Sequence, residues 1–437
     1  MRFIFQNSKS ILKFIIVSSL VFIIISSNQF SPLNPIVYKT RLWVEDAYVF
    51  GGIRISEEQG LSSYGNHSVG LLNDSKIGLT TQSTENNYYD YHLEINKSYL
   101  DGKLELSNEP NIQLGYYDRN TGFTVRNLPY LIHKTNVFDI TPSKYVENAY
   151  FLLTSLIFGL ILFKISEKEG LLVTSVFLAS HSLYWIFIIH TRSFATPYLV
   201  CIIPFFIPFT KLSTYLYKKK TNFIFLVLVL LIPFLEHITV GYLHVISLLT
   251  GIYFMNGLTF LQAFIKNNYI KLSAALGTSL ILSQVIVVLQ NYYFLNQSFS
   301  NTLQSHWYNL TKRSDGAGVF NCFGEGSFND VLNMYVNSKI LNLQIFELTY
   351  FNLTLITVVF VLTIKYPLKR YIKISEEAFY LYLGALFLTM LWFTITKSHA
   401  LCHPHFQPML FLYSTFPLIS LFYGRLVRSI YEQISGT

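Results

Sequence analysis

Ten long runs of apolar residues constrain the fold of this chain more than any other feature. A helix needs about 20 mostly apolar residues to cross roughly 30 Å of hydrocarbon. Hydrophobic residues make up 51% of the 437 residues and charged residues only 13%, which is unlike an ordinary soluble domain. The sequence therefore predicts an all-α polytopic membrane protein with about 10 transmembrane helices. The runs cover residues 11–27, 149–165, 170–190, 195–213, 222–236, 240–260, 271–290, 343–364, 376–396 and 405–424.

Lysine and arginine are distributed unevenly between the two sets of loops that connect these runs. If the N-terminus is cytoplasmic, the short outer connections carry only Arg192 and Lys397. The positive-inside rule then predicts a multi-pass protein of the inner (plasma) membrane with both termini in the cytoplasm. A basic rim at the lipid surface explains the net charge of +8 without a nucleic-acid partner. The inner basic residues are Lys164, Lys168, Lys211, Lys218, Lys219, Lys220, Lys266, Lys271, Lys365, Lys369, Arg370, Lys373, Arg425 and Arg428.

Two long outer segments divide the chain into five regions. In the first outer segment, H-L-E-I-N-K-S-Y-L and G-K-L-E-L are bounded by turn residues, which predicts short strands in a small mixed α/β region. In the second, the glycine-rich stretch S-D-G-A-G-V-F-N-C-F-G-E-G-S is typical of a lid-like segment or an exposed turn. The regions are a signal-anchor helix at 1–27, which lacks a cleavage site, the first outer loop at 28–147, transmembrane helices at 148–290, the second outer loop at 291–342, and the last helices with a cytoplasmic tail at 343–437.

Most acidic residues and histidines fall at the predicted outer face. Because charge within hydrocarbon is costly, their concentration there suggests a polar cavity that opens outward. The alternative to a cavity is that these residues lie in solvent-exposed outer loops, which tolerate polar side chains without a function. The polar pair Glu236 and His237 interrupts an otherwise continuous apolar stretch and is the stronger case among single turns. The outer groups are Glu45, Asp46, Arg54, Glu57, Glu58, His190, Arg192, Glu236, His237, His306, Lys397, His399, His403 and His405.

The stretch H-A-L-C-H-P-H contains His399, His403 and His405 beside a cysteine. Imidazoles and a thiol can bind zinc in a tetrahedral site. Pro404, however, holds the backbone extended between two of the histidines, and no acidic partner is near in sequence. We therefore expect a polar helix end or a phosphate-contacting turn, and neither a metal nor a cofactor.

The stretch E-D-A-Y-V-F-G-G-I-R-I-S-E-E-Q-G-L-S-S-Y-G at residues 45–65 resembles the first outer loop of bacterial multi-pass glycosyltransferases of the GT-C class. Those enzymes often read D-D-A-[FY], then an arginine, then a G-x-G-L segment. A second stretch, T-R-S-F-A-T-P-Y-L-V at 191–200, is similar to their R-x-x-x-P segment. This chain departs from the pattern by having Glu45 where aspartate is usual, and by a long insertion before the second helix. The matching positions are Glu45, Asp46, Ala47, Tyr48, Arg54, Gly60, Leu61, Gly65, Arg192 and Pro197.

The resemblance implies transfer of a sugar from a polyprenyl-phosphate carrier to an acceptor hydroxyl on the outer side of the membrane, usually with inversion. A first-loop carboxylate would be the general base; Asp46 is favoured and Glu45 remains open. The expected partners are membrane lipid, the lipid-linked donor, and a glycan, lipid or protein acceptor. For the donor phosphate the resemblance favours Arg192 and then Arg54, with His403 or His405 as further hydrogen-bond donors, and for the substrate cavity Glu236, His237, Tyr48 and His399.

Two other functions fit parts of the sequence. An O-antigen-type polymerase or ligase also has a large outer loop, but it depends on arginines and histidine in late loops, whereas the acidic pair here lies in the first. A transporter or structural subunit would place ionisable residues near the bilayer midplane. The midplane candidates are chiefly His181 and His244, and neither has an obvious acidic partner.

Two further patterns in the sequence have simple interpretations. The aromatic residues Trp43, Tyr48, Trp185 and Trp307 would stack on sugars or, as we favour, form an interfacial belt. The N-x-[ST] sequons are mostly chance matches in a chain rich in asparagine and serine. They begin at Asn66, Asn73, Asn96, Asn296, Asn309 and Asn352.

Overall fold

A computed structural model describes this chain in separate segments. Helices account for nearly all of the described residues, which confirms the predicted all-α class. The described residues are 8–26, 49–51, 53–54, 56–57, 67–68, 96–103, 116–117, 127–136, 140–189, 241–294, 298–315, 327–337, 339–343, 346–365, 377–395, 397, 401 and 415–436.

The helices and strands follow one another in this order along the chain. They are α1 (Ser8–Ser26), β1 (His67–Ser68), β2 (Tyr116–Tyr117), α2 (Asn127–Lys134), α3 (Pro142–Glu169), α4 (Leu171–Ile189), α5 (Gly241–Asn256), α6 (Leu258–Phe294), α7 (Phe299–Asp315), α8 (Phe328–Val336), β3 (Lys339–Leu343), β4 (Phe346–Thr349), α9 (Tyr350–Lys365), α10 (Glu377–Ile395) and α11 (Phe416–Ile434). β1 pairs antiparallel with β2, and β3 pairs antiparallel with β4.

Five of the predicted apolar runs coincide closely with α1, α3, α4, α5 and α10. Two glycines set the breaks between consecutive helices. Gly170, between α3 and α4, has φ 85°, and Gly257, between α5 and α6, has φ 84°. This left-handed conformation ends a helix and is strained for any residue with a Cβ. The runs 195–213 and 222–236 lie outside the described residues.

Three boundaries and one element type differ from the sequence predictions. α6 covers 37 residues instead of 271–290, because no proline interrupts the helical sequence after Gly257. The run 343–364 becomes helical only at Tyr350, since its first residues pair in β3 and β4. α11 continues to Ile434, beyond the predicted end at 424, because its last turns are amphipathic and pack one face.

The predicted strand H-L-E-I-N-K-S-Y-L is wrong over residues 96–100, which are helical. Tertiary contacts outweigh its local alternation of apolar and polar residues. Lys97 forms an ion pair with Glu147 of α3 at 2.6 Å between Nζ and Oε1.

The larger of two apolar clusters joins the long helices to one another. α1 packs on α3, α3 on α4, and α4 on α11, which also packs on α10. Two glycines permit close helix approach: a Cβ on Gly159 would overlap Ser18 of α1, and one on Gly424 would lie 2.8 Å from Val173 Cγ1. Small residues at helix crossings are typical of helices packed in membranes.

Among the described residues, one helix is long and apolar enough to cross a membrane, namely α3, Pro142–Glu169. Shorter apolar helical stretches occur at Ser10–Ile23, Leu171–Ser180, Phe351–Thr363 and Glu377–Leu391. Length and composition alone do not separate such a helix from the core helix of a soluble protein or from a signal sequence.

Candidate functional site

Parts of the region between α1 and α3 pack on the N-terminal end of α3. Because the sequence analysis predicts that this end faces outward, we call it the outer end of α3. Of the predicted site residues, the structure describes Arg54. The others, which are Glu45, Asp46, Tyr48, Arg192, Glu236, His237, His399, His403 and His405, lie outside the described residues. The site can therefore be built from Arg54 and the segments around it.

Arg54 belongs to the segment 49–57, which follows the motif Glu45-Asp46-Ala47-Tyr48 in the sequence and whose described residues, 49–51, 53–54 and 56–57, are helical. Val49, Phe50 and Ile53 of this segment are buried against Val146 and Tyr150 of α3 and form the smaller apolar cluster. Burying an apolar side chain of this size contributes about 1.5–3 kcal/mol. The cluster therefore fixes the segment that follows the acidic pair onto the outer end of α3.

The guanidinium group of Arg54 is almost fully buried, with the residue 2% exposed. Its Nη1 donates a long hydrogen bond of 3.5 Å to Oδ1 of Asn96. Its central carbon lies 5.0 Å from the centre of the Tyr99 ring, a cation–π distance. A buried cation is costly without partners, and residues 96–99 supply two of them to Arg54.

Asn96 itself is 1% exposed and accepts this hydrogen bond. Glycosylation requires an accessible asparagine on the surface. In this fold Asn96 is too buried to carry a glycan.

Two polar contacts join the segment 96–103 to α3. The first is the ion pair of Lys97 with Glu147. The second involves Asp101, whose Oδ1 accepts the backbone N–H of Ser143 at 3.0 Å and whose Oδ2 accepts its hydroxyl at 2.9 Å. The first N–H groups of a helix have no partner within the helix and carry partial positive charge. Asp101 satisfies one of them from a distant part of the chain and so orients the segment.

Glu57, one turn after Arg54, joins the same segment to α2. Its Oε1 lies 2.7 Å from Nζ of Lys134 and 3.3 Å from Nε2 of His133, and its Oε2 accepts a hydrogen bond of 3.0 Å from Lys134. Nδ1 of His133 is buried and makes no hydrogen bond within the described residues. Three charged or titratable side chains thus meet beside the segment that carries Arg54.

The electrostatics of this contact favour a neutral histidine. Burial lowers the pKa of His133, and this effect outweighs the opposing influence of the Glu57 carboxylate. The hydrogen bond to Glu57 raises the pKa of Lys134, which stays charged. Lys134 therefore serves as the cationic partner of Glu57, while the lowered pKa keeps His133 neutral at pH 7.

Sequence reasoning identified Glu57 only as one of many outer acidic groups, and it missed Asn96, Tyr99, His133 and Lys134. Arg54 and Asn96 are 42 positions apart, and Glu57 and Lys134 are 77 apart. No local pattern marks such partners. The available signal was that each is a polar residue in the same outer loop.

Within the described part of the chain, no three histidine, cysteine, aspartate or glutamate side chains come together as metal ligands. The three histidines at 399, 403 and 405 are not among those residues. Glu57 and His133 alone supply two possible ligands, fewer than a protein zinc site uses.

Comparison with protein families, with curated proteins and with solved structures finds no match to this chain. The resemblance of residues 45–65 to GT-C glycosyltransferases stays a prediction from the motif itself.

Proposed function

We propose that this chain is a GT-C-like membrane glycosyltransferase with about 10 transmembrane helices. It would move a sugar from a polyprenyl-phosphate carrier to an acceptor hydroxyl on the outer face of the inner membrane. The observation that carries the proposal is the placement of residues 49–57. This segment follows Glu45 and Asp46 in the sequence and is buried on the outer end of α3. Lys134 pairs there with its Glu57, and the ammonium of Lys97 lies 5.3 Å from the centre of its Phe50 ring.

In the proposed reaction, the carboxylate of Asp46, with Glu45 as the alternative, takes the proton of the acceptor hydroxyl. The acceptor oxygen attacks the anomeric carbon from the side opposite the lipid phosphate. The bond between that carbon and the phosphate oxygen breaks, and the oxygen keeps the electron pair. A new glycosidic bond of inverted configuration forms, and the polyprenyl phosphate leaves.

A cation near the leaving phosphate would offset the charge that develops on its oxygens. Arg192 is the first candidate and Arg54 the second, with His403 and His405 as hydrogen-bond donors; Glu236, His237, Tyr48 and His399 would line the cavity. For Arg54 we add a positioning role. Its guanidinium is buried between Asn96 and Tyr99, so it holds the segment next to the acidic pair in place.

The proposal is tested by Glu45→Gln and Asp46→Asn, each assayed for transfer of labelled sugar from a polyprenyl-phosphate donor in reconstituted membranes. Loss of a general base lowers the rate by about 10²–10⁴-fold, and we expect the larger loss for Asp46→Asn. Glu432→Gln is the matched control, because this exposed carboxylate of α11 lies 3.7 Å from Arg428 and forms no other ion pair within the described residues. Full activity in both first-loop variants would refute the proposal.

A further inference from the structure

The end of α2 meets the segment 49–57 at the carboxylate of Glu57, which two side chains share. Oε1 of Glu57 lies 2.7 Å from Nζ of Lys134 and 3.3 Å from Nε2 of His133. His133 and Lys134 are the last two residues of α2. Earlier in α2, Tyr130 and Ile132 pack against the smaller apolar cluster, which holds the segment on α3. Polar and apolar contacts thus join α2 to the segment that follows the acidic pair in the sequence.

The His133 ring uses one nitrogen in this contact and leaves the other buried. Nε2 faces the carboxylate, so a neutral ring that donates to Glu57 carries its proton there. Nδ1 is covered by protein and makes no hydrogen bond within the described residues. A second proton would turn Nδ1 into a buried donor without an acceptor among these residues, which destabilises the docked state. The contact therefore fits the neutral ring better than the charged one.

A charged His133 would also change the balance of charge at Glu57. The carboxylate already has Lys134 as a cationic partner, and their hydrogen bond raises the pKa of Lys134. A second cation would lie beside Lys134 and compete with it for the same oxygen. Burial of the ring and repulsion by Lys134 together outweigh the attraction of Glu57, so the pKa of His133 is lowered.

Charged and titratable groups of the neighbouring elements have other contacts. On the segment 49–57, Arg54 bonds to Asn96. On α3, the hydroxyl of Tyr145 donates a hydrogen bond of 3.3 Å to the turn after α2. On α2 itself, the ring centre of Tyr130 lies 5.5 Å from the ammonium of Lys134. Within the described residues, the carboxylate and the ammonium of the contact are the charges that act on the pKa of the histidine ring.

We propose that this contact is an acid-sensitive latch, in which a proton on His133 loosens α2 from Glu57 and so loosens the segment 49–57 on the outer end of α3. Because this segment follows the candidate base in the sequence, an open latch would lower the rate of sugar transfer in acid. The effect on transfer rests on the proposed function. The opening of the latch does not depend on it.

The first test measures amide hydrogen exchange of the segment 49–57 in the full native chain at pH 7.5 and 5.5. Protection factors report the opening equilibrium of a segment. We expect them to fall with pH by at most about 10-fold, the limit for one proton whose ordinary pKa is about 6.5. Constant protection of this segment would overturn the latch. So would a fall confined to α2, because α2 would then loosen alone.

Two variants assign the change to His133. His133→Gln keeps a neutral side chain that can donate to Glu57, so the segment should keep its protection at pH 5.5. Glu147→Gln is the matched control, because this carboxylate of α3 is 26% exposed, as Glu57 is, and pairs with Lys97. It should show the same fall with pH as the native chain. An equal fall in His133→Gln, or loss of the fall in Glu147→Gln, would overturn the latch.

The second test measures sugar transfer from a polyprenyl-phosphate donor at the same two pH values. Each rate at pH 5.5 is divided by the rate of the same protein at pH 7.5, and comparison with His133→Gln removes the pH dependence of the base itself. We expect the native chain to lose up to about 10-fold more than His133→Gln. Equal ratios would overturn control of transfer by the latch. A pH-dependent segment in a chain that transfers no sugar at either pH would overturn the proposed function and leave the latch standing.

Discussion

The two ends of α3 hold their charges in different ways. At the C-terminal end of α3, which we call the inner end, Glu169 bonds to Arg425 at 2.6 Å and to Arg428 at 3.1 Å, and Arg425 also donates to the hydroxyl of Tyr253. These residues belong to long helices, and both oxygens of the carboxylate bind arginine. At the outer end, the polar contacts come from loop segments far apart in sequence, and Glu57 and Lys134 keep part of their surface exposed.

This difference indicates separate roles for the two ends. An ion-pair cluster between α3, α5 and α11, in which arginines bind both carboxylate oxygens of Glu169, holds these helices together. The outer end instead positions a short segment that follows the acidic pair in the sequence. It also includes His133, whose pKa is lowered by burial. We therefore expect substitutions at the inner end to change stability, and substitutions at the outer end to change transfer.

The largest stability effect is expected for Glu169→Gln at the inner end. It leaves Arg425 and Arg428 without their counter-charge, and breaking a buried pair costs about 3–5 kcal/mol. Thermal unfolding in detergent should show a clearly lower midpoint, with the transfer rate per folded molecule unchanged. The surface variant Glu432→Gln should stay within about 1 kcal/mol of the native chain. A native midpoint for Glu169→Gln would show that the inner cluster is not structural.

Arg54→Met at the outer end should separate activity from stability. Methionine replaces much of the buried volume, so the free energy of unfolding should fall by only about 1–3 kcal/mol through the lost hydrogen bond to Asn96. Transfer should fall by about 10²-fold, since displaced catalytic groups lose rate steeply. The matched variant Arg425→Met should do the reverse, lowering the unfolding midpoint while leaving the rate per folded molecule intact. A native rate in Arg54→Met would remove Arg54 from the site.

The smallest effect concerns pH and His133. Because its pKa in the folded protein is lowered, the unfolded state binds a proton more readily as pH falls below about 6.5. The contribution of His133 to stability is thus complete above that pH and is lost as pH falls through the lowered pKa. The facing charged and titratable groups are Glu57, Lys134 and Tyr130.

Amide hydrogen exchange of α2 measures this effect. The protection factors of the α2 amides, which correct for the intrinsic pH dependence of exchange, should fall between pH 7.5 and 5.5. His133→Gln should abolish this fall. An equal fall of the protection factors in the native chain and in His133→Gln would assign the effect to another group.

The sequence predicted the parts of the fold that depend on local composition. The apolar runs locate α3, α4 and α10 because a long, uninterrupted apolar run folds as a helix that buries its side chains. The predictions failed where contacts between residues distant in sequence determine the structure. Residues 96–100 are helical although they alternate like a strand. α9 begins only at Tyr350 because the residues before it form the β3–β4 pair.

In the candidate site, too, the sequence identified the residue that a local motif marks and missed those that packing brings together. Arg54 was identified because the motif fixes its spacing from Glu45 and Asp46. Asn96 and His133 lie beside the segment that carries Arg54 because the loop packs on α3, and their local sequence does not predict this position.

The most direct test compares the two ends in one experiment. Purified native protein, the double variant Glu45→Gln with Asp46→Asn, and Glu169→Gln are reconstituted in the same vesicles. Both the unfolding midpoint and the rate of sugar transfer from a polyprenyl-phosphate donor are then measured. We predict that the double variant keeps the native midpoint and loses transfer, and that Glu169→Gln loses stability but transfers at the native rate per folded molecule. Native transfer by the double variant would contradict the account.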